Sequence, residues 1–573
     1  MNEGRSDGAR KAAASEAGSN RVAPLRSRVP SLVAWVVRAV SLLSLLSLFT
    51  RTGPHRREVQ DAVVDGATIA VVIVLAAVML VVARGIARRK RRAWRIVLGL
   101  VVVAALLYLR AHNWVAAGLN VSMAVLLIWT RAEFWARSEP SSRWLALRAG
   151  LLTGAVAFGA GLALTARTAP DADSVAVLGQ TVRGLFGFFP DLPYRRPELA
   201  DLTNVVLTGL GAATVLIVLA ILLSPRRKPA ELGESDEARL RELLARHGSR
   251  DSLGYFALRR DKSAMFSPSG KAAIAYRVVD GVTLASGDPI GDPEAWPGAI
   301  AAWLGEAERY AWTPGVLGAS QSGATAYVRA GLDALEVGDE AVLDLSTFSL
   351  SGRDMRGIRQ AVSRVERAGY TAAVVRQKDL DPTEVDELVR AAEALRDGDV
   401  ERGFSMALGR LGDPLDPEVV VVRARDEQGR LVAVLSLVPW GTDGLSLDVM
   451  RRSRSSENGT MEFLVATLAR HAAELGVQRV SLNFAVFRSA LERGGQVGAG
   501  PILRLWRSLL LKLSRWWQIE SLYRANAKYH PRWEPRMVCF GRGADLPRVA
   551  VAALQAEAFV VRPRLSRWLR PRR

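Results

Sequence analysis

The chain of 573 residues contains a single cysteine, Cys539, so no internal disulfide and no cysteine-based zinc site can form. Its five histidines (His55, His112, His247, His471 and His530) are scattered, and no two stand at metal-ligand spacing. No metal held by His or Cys is expected, and no cofactor. Acidic residues are also in deficit: Asp and Glu number 57 against 77 Lys and Arg, a formal charge of +20. Such an excess suits an anionic partner, either nucleic acid or an anionic lipid surface, without choosing between them. The Gln/Arg-x-x-Gly-x-Gly/Ala loop that would cradle the pyrophosphate of an acyl-CoA is missing, because Arg493-Gly494-Gly495-Gln496 breaks the pattern. A cleavable signal peptide is not expected either, since the first apolar run starts late and lacks a small-residue cleavage pattern.

What the first half does contain is apolar length. After a basic N-terminus over 1–30, rich in Ala, Gly, Ser and Arg and expected to be disordered, a membrane module is predicted over 31–224. Six stretches approach the roughly 20 residues that span a hydrocarbon core: Leu32–Phe49, Ala62–Ala83, Trp94–Leu109, Trp114–Trp129, Trp144–Thr165 and Thr203–Leu223. Arg38 and Arg148 interrupt the first and the fifth. The loop Arg84–Arg95 (RGIARRKRRAWR) is densely basic and is assigned to the cytoplasm. Alternation then puts the N-terminus, Arg131–Arg143 and Ser224–Lys228 on that side, and the long loop Ala166–Asp201 on the other. The second half should be cytoplasmic. These helices either anchor the soluble half or move lipid. Their few charges lie near segment ends, which favours an anchor.

From about 225 the composition becomes that of a soluble α/β domain. Ala238–Gly248 reads as a helix closed by glycine, followed by strands with turns at Ser267–Gly270 and Asp280–Gly281. The turn Gly287-Asp288-Pro289 precedes a helix over Glu294–Ala311. A strand over Ala334–Leu350 leads into a helix ending at Gly369, on which Arg353, Arg356, Arg359, Arg364 and Arg367 share one broad face. That face is either a solvated basic surface or one that tracks the phosphates of tRNA. Asp381–Gly398 is a further amphipathic helix and Val419–Gly441 a hairpin turning at Glu427–Gly429. LSLDVMRRS is a strand and its exit, GTMEFLVATLARHAAELG a helix and QRVSLNFAV a strand. The repeated strand–helix–strand run predicts two tandem acetyltransferase-like lobes, about 235–375 and 376–560, within a domain spanning 225–573. Between them and the C-terminus, Pro501–Glu520 puts Ile502, Leu505, Trp506, Leu509, Leu510, Leu513, Trp516 and Trp517 on one helical face. Arg504, Arg507, Lys512 and Arg515 lie away from it. A core helix carries fewer cations, so this pattern predicts a helix on an anionic bilayer surface, with Trp506, Trp516, Trp517, Arg504 and Arg507 as its contacts.

Several of these segments, taken in order, carry a resemblance. ASGDPIGDPEAW, VGDEAVLDLSTFSLSGRDMRGIRQAVSRVERAGY, LSLDVMRR, ENGTMEFL and NAKYHPRWEPR resemble the phosphatidylglycerol lysyltransferase (multiple peptide resistance factor) family. The stretch from SLNFAVFRSAL to NAKYHPRWEPR is similar to the membrane-bound transferase part of actinobacterial two-domain lysylphosphatidylglycerol synthases. The match runs from about Asp251 to Phe559. It implies transfer of an aminoacyl group, most plausibly lysyl, from aminoacyl-tRNA to the glycerol headgroup of phosphatidylglycerol. The enzyme would lower the negative charge of the membrane and so promote resistance to cationic antimicrobial peptides. Two departures accompany the resemblance. Six helices are fewer than in the family's larger members, which add a lipid flippase, and no class I or class II synthetase signature is present. The donor tRNA is therefore expected to be charged elsewhere.

This transfer exchanges one ester for another and requires alignment, a proton path and oxyanion stabilisation, with no ATP or metal at this step. Asp448 could hold the aminoacyl amine or act as base. Amine anchoring is favoured, because an unperturbed carboxylate is a weak base toward an alcohol. Arg451 and Arg452 could grip the lipid phosphate or the terminal phosphate of tRNA. Lys528 and Arg536, flanking the rigid His530-Pro531-Arg532-Trp533, are candidates for a second phosphate or the oxyanion. Glu462, Asn483, Trp533 and Asp288 complete the expected substrate contacts, and Arg356, Arg359, Arg364 and Arg367 the tRNA surface. Each has an ordinary counterpart, such as a structural Asp448–Arg451 ion pair or Trp533 as core. Two other classes remain open: an acyl-CoA-dependent N-acyltransferase of the same fold, and a non-enzymatic membrane transporter or scaffold.

Overall fold

The computed structural model describes residues 77–560 except 84, 87–88, 111–113, 135–141, 189–191, 224–230, 397–402 and 487–523, together with Val33 and Trp35. The chain forms two compact units, one made mainly of residues up to 226 and the other of residues from 227 onward.

In the first unit, helices α1 (Arg91–Arg110) and α2 (Trp114–Trp129) pack together, as do α3 (Ser142–Thr168) and α5 (Pro197–Leu222). Among the described residues, two stretches are long and apolar enough to cross a membrane, Trp144–Thr168 and Leu199–Leu222. The predicted span at 32–49, but for Val33 and Trp35, and most of that at 62–83 lie outside the described residues, although 77–83 is helical. The basic loop caps a helix end: the buried Lys90 ammonium donates to Leu223 O, and Arg92 Nη1 to Leu222 O at 3.2 Å. Cations at a helix C-terminus satisfy its last carbonyls and offset its dipole. Arg89 pairs with Glu133 at 2.9 Å. The basic loop thus touches the C-terminal end of α5 and the residue Glu133 that follows α2.

The opposite end departs from expectation. The predicted loop at 166–201 contains a helix, α4 (Ser174–Leu185), capped by Asp173 accepting from Ala176 N. Its buried stripe is Val177, Gln180, Thr181 and Gly184. Val175, Leu178 and Val182 are exposed on it, as are Phe186 and Phe188 just beyond. Gln180 Nε2 donates to Asn204 Oδ1 at 2.9 Å and to Tyr194 Oη at 3.0 Å, and Thr203 Oγ1 to Thr168 Oγ1 at 3.1 Å. Gly211 admits the end of α4, since a Cβ there would stand 1.8 Å from Leu185 O. The helix is thus polar inside and apolar outside, the reverse of one facing water. At three turns it is too short to span a bilayer. Sequence periodicity located neither face, because the apolar run Val175-Ala176-Val177-Leu178 is far too short for a span and inward polar residues break the usual amphipathic pattern.

In the second unit, twelve described strands form one sheet in the order β1 (Ser263–Phe266), β2 (Ala272–Val279), β3 (Val282–Ser286), β5 (Thr313–Ala319), β12 (Arg532–Phe540), β6 (Asp333–Asp344), β11 (Arg479–Val486), β10 (Gly444–Arg452), β9 (Leu431–Trp440), β8 (Val420–Arg425), β7 (Thr371–Arg376). The short β4 (Ile290–Gly291) pairs with β2. Two neighbouring pairs are parallel, β3 with β5 and β10 with β11. Parallel neighbours need a long crossover, and helices supply it: α7 (Trp296–Tyr310) for the first pair, α11 (Thr460–Arg470) and α12 (Ala472–Leu475) for the second. The remaining pairs among the described residues are antiparallel.

The predicted division at 375/376 does not follow the packing. Helix α9 (Arg356–Arg367) buries Ile358, Val362 and Val365 in the cluster that holds Val420, Leu435, Leu447, Phe463 and Leu464, so it belongs with the β7–β11 half. Conversely, β12 and α13 (Leu546–Ala556) join the first half, where Val549 and Ala552 pack with Val282, Leu284, Leu317 and Phe540. The last strand of each half has crossed over: β6 borders β11, and β12 lies between β5 and β6. At Pro535 the strand has β6 as its one paired neighbour, because β12 pairs with β5 only from Met537 onward, and a proline is tolerated where one side of a strand is unpaired. Helix α8 (Gln321–Arg329), helix α6 (Glu234–His247) and helix α10 (Pro382–Ala394), the last opened by an Asp381/Glu384 capping box, complete the unit.

Helix α4 should contact lipid with its outer face. A polarity-sensitive fluorophore on a cysteine replacing Val182, with native Cys539 buried and unreactive, should emit as from an apolar medium in vesicles and be quenched by bromine-labelled acyl chains. The same label at Asp171 should emit as in water. Equal, water-like emission at both positions would place α4 in the aqueous phase.

Candidate active site

The parallel pair β10/β11 stays paired only through Gly444↔Arg479, Leu445↔Val480 and Ser446↔Ser481. Beyond that point β10 follows β9 and β11 follows β6, so the two strands part. Both ladders are irregular at the parting, between Leu447 and Val449 on β10 and between Ser481 and Phe484 on β11. Asp448 therefore sits in a bulge, which re-aims a side chain and loosens the ladder beside it. Asn483 lies across from it on β11, with its side chain outside the described residues. Two candidates separated in sequence by a helix thus flank one opening.

The other candidates distribute around it. One carboxylate oxygen of Asp448, Oδ1, accepts the Leu408 N–H at 2.6 Å. Arg451 Nη1 donates to Ala392 O at 2.7 Å and lies 3.8 Å from Glu393 Oε2, so it ties the end of β10 to α10. Arg452 is exposed and reaches Ser456 Oγ at 3.3 Å. Glu462, on the first turn of α11, pairs with the half-exposed Lys528 at 2.9 Å. Asn526 Nδ2 meets Leu482 O at 3.4 Å, which seats the NAKYHP segment against β11 where it leaves β10. On α9, Arg356, Arg364 and Arg367 are exposed on the side away from the buried stripe. Arg359 is partly buried and bonds Leu350 O and Gly352 O, the latter at 2.9 Å. The membrane-surface residues Arg504, Trp506, Arg507, Trp516 and Trp517 lie outside the described residues.

Three candidates require correction. Arg536 is 3% exposed and not at the opening. Its five N–H groups are spent on Glu340 Oε2 from both Nε and Nη2, Ser252 Oγ, Asp251 Oδ1 and Gly318 O. None is left for a phosphate or an oxyanion. Burial opposes its charge, and Asp251, Glu340 and Asp288 outweigh that cost and raise its pKa further. Asp288 is likewise internal: it accepts from the N and Oγ of Ser320, the residue that caps α8, the former at 2.7 Å, and a Cβ on Gly323 would meet it at 1.9 Å. Trp533 packs against the hydrophobic core of the second half. Asp288 of the GDPIG turn and Arg536 of the HPRWEPR motif thus hold the core together, and a charge inside a strand marks a buried ion pair as readily as a catalytic group.

The same network reaches the opening from behind. Glu340 Oε1 accepts from Ser481 Oγ and Ser252 Oγ, and Ser446 Oγ donates to Ser252 O at 2.7 Å. Ser446 and Ser481 are the last parallel pair before the strands separate. Sequence reading missed Asp251, Ser252, Glu340 and the Leu408 amide. Glu340 alone carried a signal, a second acid in GDEAVLDL where an inward position is due; a backbone amide carries none.

Comparison with known proteins adds two matches. Residues 241–540 match the family described as phosphatidylglycerol lysyltransferase, C-terminal, and residues 25–223 match the transmembrane region of lysyl-tRNA synthetase. The chain is similar to the lysylphosphatidylglycerol biosynthesis bifunctional protein LysX of Mycobacterium avium (strain 104), 45% identical over 557 residues, covering 93% of this chain and 47% of that one. It is 46% identical over 502 residues to the protein of the same name from Rhodococcus opacus (strain B4), covering 86% and 45%. The chain thus spans about half the length of the curated relatives it matches. Among solved structures it is similar to L-PGS from Bacillus licheniformis, with 23% identity and a TM-score of 0.49 over 58% of this chain and 98% of that one.

Removing one partner of a buried ion pair costs about 3–5 kcal/mol, whereas an exposed pair contributes about 1 kcal/mol or less. Glu340→Ala should therefore strongly lower the melting temperature of the detergent-solubilised protein, and Lys528→Ala should barely change it. Similar shifts for the two would contradict this division into structural and surface pairs. A second prediction concerns pH. Burial first, and the Asp251 carboxylate second, push Asp288 up from 3.8 to about 7. The fold then keeps a proton that the unfolded chain has already lost, so this group's contribution is full below about pH 4 and gone by about pH 7. Asp288→Asn cannot ionise, and its melting temperature relative to the wild type should rise from about pH 4 to about pH 7. A constant difference would show that Asp288 does not titrate in that window.

Proposed function

Since the chain belongs to the phosphatidylglycerol lysyltransferase, C-terminal family, we propose that it transfers a lysyl group from lysyl-tRNA to the glycerol headgroup of phosphatidylglycerol at the membrane. The observation that carries this reading is the parting of β10 and β11 with Asp448 in its bulge, in a chain that resembles lysylphosphatidylglycerol synthesis proteins over 93% of its length.

In the reaction a glycerol hydroxyl oxygen forms a bond to the aminoacyl carbonyl carbon. The bond to the terminal ribose oxygen breaks, and the hydroxyl proton ends on that ribose oxygen. Donor and product are both esters, so the enzyme's task is to align the reactants and stabilise charge. Asp448 anchors the positively charged amine of the aminoacyl group. Lys528, partly exposed and steered by Glu462, offers its ammonium to the developing oxyanion. Arg452 takes a phosphate at the exit of β10. Arg356, Arg364 and Arg367 face the tRNA backbone. The membrane unit holds this domain at the cytoplasmic face, beside its lipid substrate. The product headgroup gains two positive charges, which weakens attraction of cationic antimicrobial peptides.

An acyl-CoA reading is less well supported. Four amides of the turn between β10 and α11 are spent internally: Ser455 N on Ser453 Oγ, Ser456 N on Ser453 O, Glu457 N on Tyr370 Oη and Thr460 N on Glu457 O. A pyrophosphate cradle needs such groups open.

The test is a membrane assay with phosphatidylglycerol and tRNAs charged with labelled amino acids, followed by lipid extraction. Label should enter lipid from lysyl-tRNA, be abolished by RNase, and fall about 10- to 100-fold in Asp448→Ala, the loss of one charged hydrogen bond. No labelled lipid from any charged tRNA, with folded protein, would refute the proposal.

A further inference from the structure

Residues 403–410 lie in sequence between α10 and β8, both in the second half of the sheet, yet they are gripped by the first half. Phe404 is fully buried among Val282, Leu284, Phe540 and Val549. The carboxylate of Glu557, just beyond α13, accepts Phe404 N at 2.7 Å, Ser405 N at 3.0 Å and Ser405 Oγ at 2.5 Å. The buried Lys262 ammonium stands 4.7 Å over the Phe404 ring, and Arg259 Nη1 donates to Ala407 O at 3.0 Å. Arg410 Nη1 donates to Leu258 O at 2.9 Å. Between these anchors the Leu408 N–H reaches across to Asp448 Oδ1 at 2.6 Å.

We propose that this strap is a positioning device for the proposed amine anchor, with Glu557 the positioning residue that sets the Leu408 amide and, through it, the Asp448 carboxylate. The inference rests on the reading of Asp448 given above. Asp448 occupies a bulge, where the ladder no longer fixes backbone direction; a donor from outside the strand must do so. A backbone amide suits the task, because it neither titrates nor changes rotamer. Its placement depends on how rigidly the strap is held, and three of the donors that fix it converge on one carboxylate. The first half of the sheet thereby acts on the transfer without touching substrate.

The assay above tests this with a double-mutant cycle in the full-length protein. Displacing a reacting or anchoring group by about 1 Å costs up to about 100-fold, and a smaller shift through the strap should cost Glu557→Ala about tenfold. Glu557→Gln keeps one acceptor and should recover part of that loss; Ser405→Ala, which removes a single bond, should lose about threefold. Because Glu557 works through Asp448, the Asp448→Asn/Glu557→Ala double variant should be no slower than Asp448→Asn alone. A merely structural Glu557 gives multiplying losses, and that outcome overturns the proposal, as does a wild-type rate in Ser405→Ala and Glu557→Gln. If Glu557→Ala does not fold, Ser405→Ala combined with Asp448→Asn completes the cycle. A wild-type rate for Asp448→Asn would instead refute the underlying reading of the anchor, and the strap with it.

Discussion

A buried network of ion pairs holds the second unit in register. Arg536 on β12 binds Glu340 on β6, Asp251 ahead of the first strand and Ser252 beside it, in an interior where an unpaired guanidinium would cost several kcal/mol. Glu340 in turn holds Ser481, and Ser252 holds Ser446, so the network ends on the last paired residues before β10 and β11 diverge. The apex of the parting is therefore set by charges buried in the core. A hydrophobic replacement could match the stability, but it could not tie four separate backbone segments to one point.

Much of the architecture was legible in the sequence. The turns at Ser267–Gly270 and Asp280–Gly281, the helix on Asp381 and the strand–helix–strand run around Asp448 all announced themselves through period and turn chemistry. What was hidden is non-local. The exchange of β6 and β12 leaves no trace in periodicity, since a strand reads the same whichever neighbour it takes. Helix α4 was hidden for the opposite reason: its polar residues point inward, so a rule that equates polar with exposed misplaces it.

The candidate site was legible in part. Asp448 and Asn483 were picked from motifs, and the fold sets them on either side of one parting. Lys528 and Glu462 were chosen separately and turn out to be partners. Arg536 and Asp288 were chosen on the same grounds and lie in the core, because charge in a conspicuous motif does not distinguish a group that binds ligand from one that holds strands together. The distinction depends on how many of its hydrogen bonds the protein has already used, a property of packing alone.

The crossing of β6 and β12 also bears on how the protein is made. Strands β5 and β6 emerge early from the ribosome, and the strand that fills the gap between them is completed only at Phe540. Throughout that interval both present unpaired edges, open to other nascent chains. Strand β11 reaches β6 before β12 is made, so the β7–β11 half can assemble on β6 while the gap beside β5 stays open, and β12 closes the sheet last.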